Sequence, residues 1–315
     1  MLIRRTVLAL VVGLPLANGA AYADDGPLPV VASFSILGDM VQEIGGSRVA
    51  LTTLVGHDGD AHVYEPTPTD AKTLAAARLL VVNGLHFEGW LPRLTDAAGF
   101  AGETVVASAG IVPRSFGDHA EEHHDESEEA HADDDHGHGA VDPHAWQDLA
   151  NGVIYARNIG AGLAKADPAH AAEYAKATEA YVARLQALDA DVKARLSAVP
   201  DERRKVVTSH DAFGYFSAAY GVTFIAPVGT STDAEASAAD VARIIDQIRR
   251  EKIAAVFVEN VTNTKLVDQI SSETGATVGG ALYSDALSGP DGPAATYEKM
   301  FDWNVTQLTQ AMTGS

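Results

Sequence analysis

The residues from Asp167 to Pro200 constrain this chain more than any other stretch. Asp167 suits an N-cap, and Pro168 suits the first helical position, where a missing N–H costs nothing. The run that follows, AHAAEYAKATEAYVARLQALDADVKARLSAVP, holds no Gly and no Pro before Pro200. Tyr174, Tyr181, Leu185, Leu188, Val192, Leu196 and Val199 recur at sums of three and four, which puts them on one face. At about 1.5 Å per residue, such a helix spans roughly 45–50 Å, longer than a small domain is wide. In mid-chain it reads as a strut between two lobes, against the plainer reading of a long helix packed on one domain.

Strand-like and helix-like runs alternate on both sides of it. Before it, Val30–Phe34, Val49–Val55, Leu79–Asn83 and Thr104–Ala107 read as strands. Helices are expected over Leu37–Ile44, Thr69–Ala77, Trp90–Ala98 and Asp148–Lys165. After it, strands are expected over Lys205–Ser209, Val222–Ile225, Ala254–Val258 and Thr277–Leu282. Helices near Ala212–Ala219, Ala236–Glu251, Thr264–Thr274 and Ala294–Met312 accompany them. This alternation predicts an α/β fold of two lobes, each a mostly parallel sheet flanked by helices and joined by the one long rigid helix. The lobes are expected over residues 24–166 and 201–315, with the linking helix over 167–200. Ligands of such sheets bind beyond the carboxyl ends of strands, so the cleft between the lobes is the expected site.

Residues 1–23 read as a signal peptide. Arg4 and Arg5 precede an apolar run from Val7 to Ala17, and Ala21-Tyr22-Ala23 is a small-x-small cleavage site. The expectation is export to the periplasm as a soluble, monomeric protein cleaved after Ala23. The chain has no Cys, which removes disulfides, thiolate chemistry and Cys-based zinc sites together. Any metal must then be held by His and carboxylates. The formal charge of −21 becomes −23 once the two signal arginines are gone. Such acidity argues against nucleic acid or an anionic membrane surface as partner and concentrates cations locally.

Ten of those negative charges fall between Asp118 and Asp135, in the segment DHAEEHHDESEEAHADDDHGHG. It carries His119, His123, His124, His131, His136 and His138, with no Lys or Arg. Residues 118–139 are expected to be a disordered loop, either purely solvating or offering weak auxiliary sites for a borderline metal such as zinc.

Six histidines lie elsewhere. His170 opens the strut and is expected to face solvent, and His57 and His86 stand in loop-like surroundings with no motif. The other three lie at expected strand-to-loop transitions: His62 in HVYEPTPTD, His144 in VDPHAWQD and His210 in VVTSHDAFGYF. Asp285, in GALYSDALS, follows the strand run Thr277–Leu282. Singly, each has a bland explanation as a satisfied structural residue. Pro66, Pro68 and Pro143 stiffen the backbone beside two of them.

On these four segments, in this order and at these separations, the chain resembles the zinc/manganese solute-binding proteins of ABC importers. The resemblance covers essentially the whole mature chain, and the strut fits it too, since members join two α/β lobes by one long helix. It implies that His62, His144, His210 and Asp285 are the metal ligands, and that a membrane permease of an ABC importer is the partner. A periplasmic zinc chaperone is a further possible partner. Manganese-type members usually carry Glu at the third ligand, where this chain has His210. Three imidazoles and one carboxylate suit tetrahedral Zn²⁺, whereas Mn²⁺ prefers oxygen-rich shells. The expected function is therefore high-affinity zinc capture for import. A manganese receptor of the same type, or a periplasmic zinc buffer or metallochaperone, is the alternative.

An enzyme is not expected. A hydrolytic zinc site keeps an open position for water, whereas four protein ligands close the shell. HExxH, GxSxG and Walker A segments do not occur, and His119-Ala-Glu-Glu-His123 has the wrong interior.

Overall fold

The computed structural model describes residues 26–115, 141–233, 236–253, 255–262 and 264–314. The signal segment 1–23 and the His-rich segment 118–139 lie outside them. Two four-stranded, all-parallel sheets stand on either side of the long helix. The first holds β1 (Leu28–Phe34), β2 (Val49–Val55), β3 (Leu79–Val82) and β4 (Glu103–Val106) in the order β2-β1-β3-β4. The second holds β5 (Lys205–Val207), β6 (Thr223–Ile225), β7 (Ala255–Glu259) and β8 (Thr277–Leu282) in the order β6-β5-β7-β8. The same crossover occurs twice, so each sheet reverses strand order between its first and third strands.

Helices α1 (Ser35–Gly45), α2 (Pro68–Ala76), α3 (Leu91–Ala98) and α4 (Leu149–Ala166) serve the first sheet. Helices α6 (Gly214–Tyr220), α7 (Ala238–Glu251), α8 (Lys265–Thr274) and α9 (Tyr297–Thr313) serve the second. The strands are apolar and short because both faces are covered: β3 is LLVV and fully buried.

The strut, α5, is continuous over Ala171–Ser197, 27 residues and about 40 Å. It begins later than the cap signal suggests. Pro168–His170 form a 3₁₀ turn, and Asp167 accepts from His170 Nδ1 at 2.7 Å and from the Tyr174 hydroxyl at 2.9 Å instead of capping the α-helix. His170 is therefore half-buried and paired, not free in solvent. Tyr174, Tyr181, Leu185, Val192 and Leu196 are buried as the periodicity requires. They pack on α4, α1 and α6, and on α9 from the other lobe, in one core that runs through both halves. Both readings of the helix thus describe part of it: it joins two lobes, and it is packed along its length. Arg184, near its middle, bridges Glu43 of α1 at 2.5 Å and Glu298 of α9 at 3.1 Å.

Beside that bridge, Asp39 of α1 accepts the Tyr297 N–H at the start of α9, at 2.8 Å. Burial pushes its carboxyl up to about 7; the Tyr297 N–H opposes this, Glu43 and Glu298 add to it, and Arg184 opposes it. A carboxyl raised in the fold costs stability progressively as pH rises from its unfolded value near 4 to about 7. Asp39→Asn keeps an acceptor for Tyr297 and removes the charge. Thermal melts of the metal-free protein at pH 8 are expected to show the variant more stable by about 1–2 kcal/mol, or a few degrees, after discounting for solvent screening. The gain should vanish near pH 4; a gain independent of pH would mean that the charge is not its source.

Candidate metal centre

His62 lies seven residues past β2, on a loop that ends in α2. The segment Thr67-Pro68-Thr69-Asp70 closes that loop with a capping box. Thr67 Oγ1 accepts the Asp70 N–H at 3.3 Å, and Asp70 Oδ2 accepts the Thr67 N–H at 2.6 Å. Tyr64 donates to the same carboxylate at 2.9 Å, which ties the first ligand segment to the helix start. The box was readable in the sequence as Thr-x-x-Asp, one residue pair earlier than the helix expected from Thr69.

His144 is placed differently from the expectation of a strand end. β4 stops at Val106, and His144 follows an isolated bridge between Ser115 and Val141. It is held by side chains instead. Asn83 Nδ2 donates to the Pro143 carbonyl at 2.9 Å, and the Tyr155 hydroxyl donates to Asn83 Oδ1. Trp146 Nε1 and Gln147 Nε2 donate to the Ser284 carbonyl at 2.9 and 2.7 Å, across the lobes. The His144 segment is thereby bound directly to the segment that carries Asp285. His210 stands three residues past β5, in an isolated bridge with Val228, and Asp285 three past β8.

The four side chains meet between the lobes, each offering one ligand atom, and these atoms all lie within 4.8 Å of one another. His144 Nε2 is 3.3 Å from His62 Nε2. Asp285 is central: its Oδ2 lies 3.1 Å from His210 Nε2 and 3.4 Å from His62 Nε2, and its Oδ1 lies 3.4 Å from His144 Nε2. The edge of a tetrahedron around zinc with bonds of about 2.0–2.1 Å is roughly 3.3–3.4 Å, so these separations suit a four-coordinate ion. Both Asp285 oxygens and His210 Nε2 are buried without a well-formed hydrogen bond, as befits donors aimed at a cation. His144, His210 and Asp285 are 1% exposed or less. His57 and His86 are exposed and stand apart from the cluster.

The walls are aromatic. Phe87 meets His62 edge-on at 4.8 Å between centroids, and Trp146 meets His144 at 5.2 Å. Phe87 sits on a tight loop in which Leu85 and His86 both adopt left-handed backbone, with φ of 53° and 64°. Glu88 stabilises that loop, accepting from the Asn83 N–H at 2.6 Å, Ser33 Oγ at 2.7 Å and the Gly84 N–H at 3.2 Å. Burial nonetheless leaves its carboxyl above the ordinary range.

Charge in the cluster is tightly coupled. Burial alone would depress His210, but Glu259 and Asp285 outweigh it and hold the imidazole well above its ordinary value. Burial alone would raise Asp285, yet His210 and His144, with hydrogen bonds from His210 and His62, hold it well below the carboxylate range. Two further carboxylates touch the histidines: Asp142 Oδ1 at 2.8 Å from His144 Nδ1, and Glu259 Oε2 at 2.8 Å from His210 Nδ1. Neither was singled out in the sequence. Asp142 had a faint signal, two residues before its histidine; Glu259, at the end of β7, had none.

Two parallel-sheet lobes on one long helix, with a three-histidine, one-aspartate cluster between them, define a metal-binding receptor of the kind that serves ABC transporters. The chain belongs to the family described as zinc-uptake complex component A, periplasmic, whose sequence pattern matches residues 30–311. It is 33% identical to the iron-binding protein YfeA of Yersinia pestis, over 94% of this chain and 91% of that one. It is 30% identical to the manganese-binding lipoprotein MntA of Halalkalibacterium halodurans, over 97% and 96%. Its fold superposes on the periplasmic zinc-binding protein TroA of Treponema pallidum with a TM-score of 0.81 at 29% identity, covering 91% of this chain and 99% of that one. A Mn-bound periplasmic metal-binding protein from Candidatus Liberibacter asiaticus gives a TM-score of 0.78 at 31% identity, covering 90% and 98%. The family consists of substrate-binding components of metal importers, with a membrane permease as partner. Among the described residues, no helix is long and apolar enough to cross a membrane.

Proposed function

We propose that the chain captures zinc in the periplasm with His62, His144, His210 and Asp285 and delivers it to an ABC permease, binding the ion without turning anything over. The observation that carries this reading is the convergence of three imidazoles and one carboxylate, from four segments and both lobes, within 4.8 Å. Zinc is favoured over manganese and iron because three of the four donors are nitrogen. The relatives named for iron, manganese and zinc share the fold, so donor chemistry, not architecture, is the argument for the metal.

In this reading the mature chain starts after Ala23 and works as a monomer. Its lobes span 24–166 and 201–315 about the linking helix 167–200, and a zinc chaperone is a further partner for loading. Metal analysis of protein purified without chelators, followed by competition between zinc and manganese, tests the assignment. Zinc is expected to be retained and to displace manganese; retention of manganese against zinc would overturn it.

The His-rich segment 118–139 adds capture, since tethered weak ligands and negative charge raise local cation concentration. Deleting it is expected to leave one tight zinc equivalent per chain and remove the weaker ones, as read by calorimetry. Loss of the tight equivalent would place a segment histidine among the primary ligands. It would also favour a buffering role over a receptor.

A further inference from the structure

We propose that Asp142 and Glu259 are positioning residues, each clamping one metal-binding histidine by both backbone and ring so that its Nε2 is presented to the ion. This rests on the reading of the four-residue site above. Asp142 Oδ1 accepts the His144 backbone N–H at 2.9 Å and lies 2.8 Å from His144 Nδ1. Glu259 divides the same work between two oxygens. Its Oε1 accepts the Ser209 and His210 backbone N–H groups at 2.8 and 2.9 Å, and its Oε2 stands 2.8 Å from His210 Nδ1, somewhat off the line of an ideal hydrogen bond. Asp142 is 4% exposed and Glu259 fully buried. Among the described residues, neither has a Lys or Arg within ion-pair distance, so each directs its charge at its histidine.

The chemistry follows from the imidazole. A neutral ring carries one N–H; a carboxylate at Nδ1 holds that proton there and leaves the Nε2 lone pair for the metal. The clamp on the backbone N–H fixes the Cα, and the contact at Nδ1 fixes the ring, so the donor is aimed before the ion arrives. The arrangement recurs in the two lobes on unrelated segments. That recurrence is the mark of a requirement of the site, not of one loop.

His62 supplies an internal contrast. Asp60 has the same spacing to it as Asp142 has to His144, and Asp60 Oδ1 accepts the His62 backbone N–H at 2.9 Å. The other Asp60 oxygen turns away, accepting from Thr232 Oγ1 of the opposite lobe at 2.6 Å. Among the described residues, Asp285 is the one carboxylate within ion-pair distance of His62, and it faces Nε2. Two rings are therefore preset and the third is held by its backbone and by Phe87. Together with Asp285, His144 and His210 form a ready half-site that His62 completes.

Glu259→Gln isolates the effect. The amide oxygen can still receive both backbone N–H groups, while an NH₂ replaces the oxygen at Nδ1 and opposes the required tautomer. Zinc Kd, measured by chelator competition on the full chain, is expected to rise about 10–100-fold, with the metal-free melting curve and circular dichroism unchanged. Asp142→Asn, which keeps an oxygen for both contacts, should cost less. In the zinc-loaded wild type, nitrogen NMR is expected to show His144 and His210 bound through Nε2, with slowly exchanging Nδ1 protons. Wild-type zinc affinity in Glu259→Gln, alongside lost affinity in His210→Ala, would overturn the positioning role alone. Unchanged affinity in His210→Ala as well would overturn the site itself. Should Glu259→Gln fail to fold, the wild-type spectrum decides: coordination through Nδ1 of either histidine would end the proposal.

Discussion

Replacing His144 or His210 by alanine is expected to weaken zinc binding by about 10²–10³-fold. A zinc site held by protein ligands contributes roughly 10–16 kcal/mol in all, so each of four bonds carries on the order of 3–4 kcal/mol. Nothing nearby can substitute for the lost imidazole. His144 and His210 are buried, and their neighbours Phe87 and Trp146 offer no comparable donor. His62→Ala should fall in the same range or slightly below it, because its ring is nearer the surface, with a side chain 5% exposed.

Asp285 looks replaceable from the sequence, where a water or a second carboxylate might stand in for it. The structure removes that expectation. Its two oxygens contact all three imidazoles at 3.1–3.4 Å, and the residue is fully buried. Asp285→Ala is therefore expected to cost as much as losing a histidine. It also leaves His210 without one of the two charges that hold its proton. Competition titrations on the four variants, each checked for a native circular dichroism spectrum, measure this directly. Wild-type affinity in His62→Ala, His144→Ala and His210→Ala together would refute the site.

Zinc affinity is expected to fall at least about 100-fold between pH 7.5 and pH 5.5, the second large effect. Metal binding requires the His210 Nε2 lone pair, yet Glu259 and Asp285, against the pull of burial, keep that imidazole protonated well above its ordinary range. Zinc must expel at least this one proton, which makes affinity change about tenfold per pH unit. The fold responds in the opposite sense. A raised imidazole stabilises the metal-free protein fully below its unfolded value near 6.5, and that contribution is lost as pH climbs through the folded value. Asp285 is held low, so its contribution persists through this window and fails only in strong acid. Acid therefore favours the empty receptor twice, by stabilising it and by competing with the ion. Calorimetry in buffers of different ionisation enthalpy counts the released protons; a count of zero at pH 7 would contradict the coupling.

The elements of the fold were legible because their causes are local. A Gly- and Pro-free run with an apolar stripe forms a helix whatever lies around it, and α5 is continuous over Ala171–Ser197. Short apolar runs such as Leu79–Val82, bounded by breakers, become buried parallel strands. Both sheets arose where the alternation placed them. The start of α5 was misplaced because Asp167 has closer partners in His170 and Tyr174 than the helix N–H groups it was expected to cap.

The chemistry of the four donor residues was likewise written in the chain, since a protein without Cys has only imidazole and carboxylate to offer a zinc ion. What the sequence by itself determined was thus the secondary structure, the two-lobe architecture and the donor types. The tertiary structure alone decided that His62 and His144, 82 residues apart, stand 3.3 Å from each other. It also decided that Asp285 stands at the centre, and that Glu259, 49 residues from His210, stands behind that ring. Periodicity and capping act over a few residues, whereas these distances depend on how two sheets and one helix pack. Only the packed core, with Trp146 and Gln147 reaching across to Ser284, brings the ends of those strands and loops to one point.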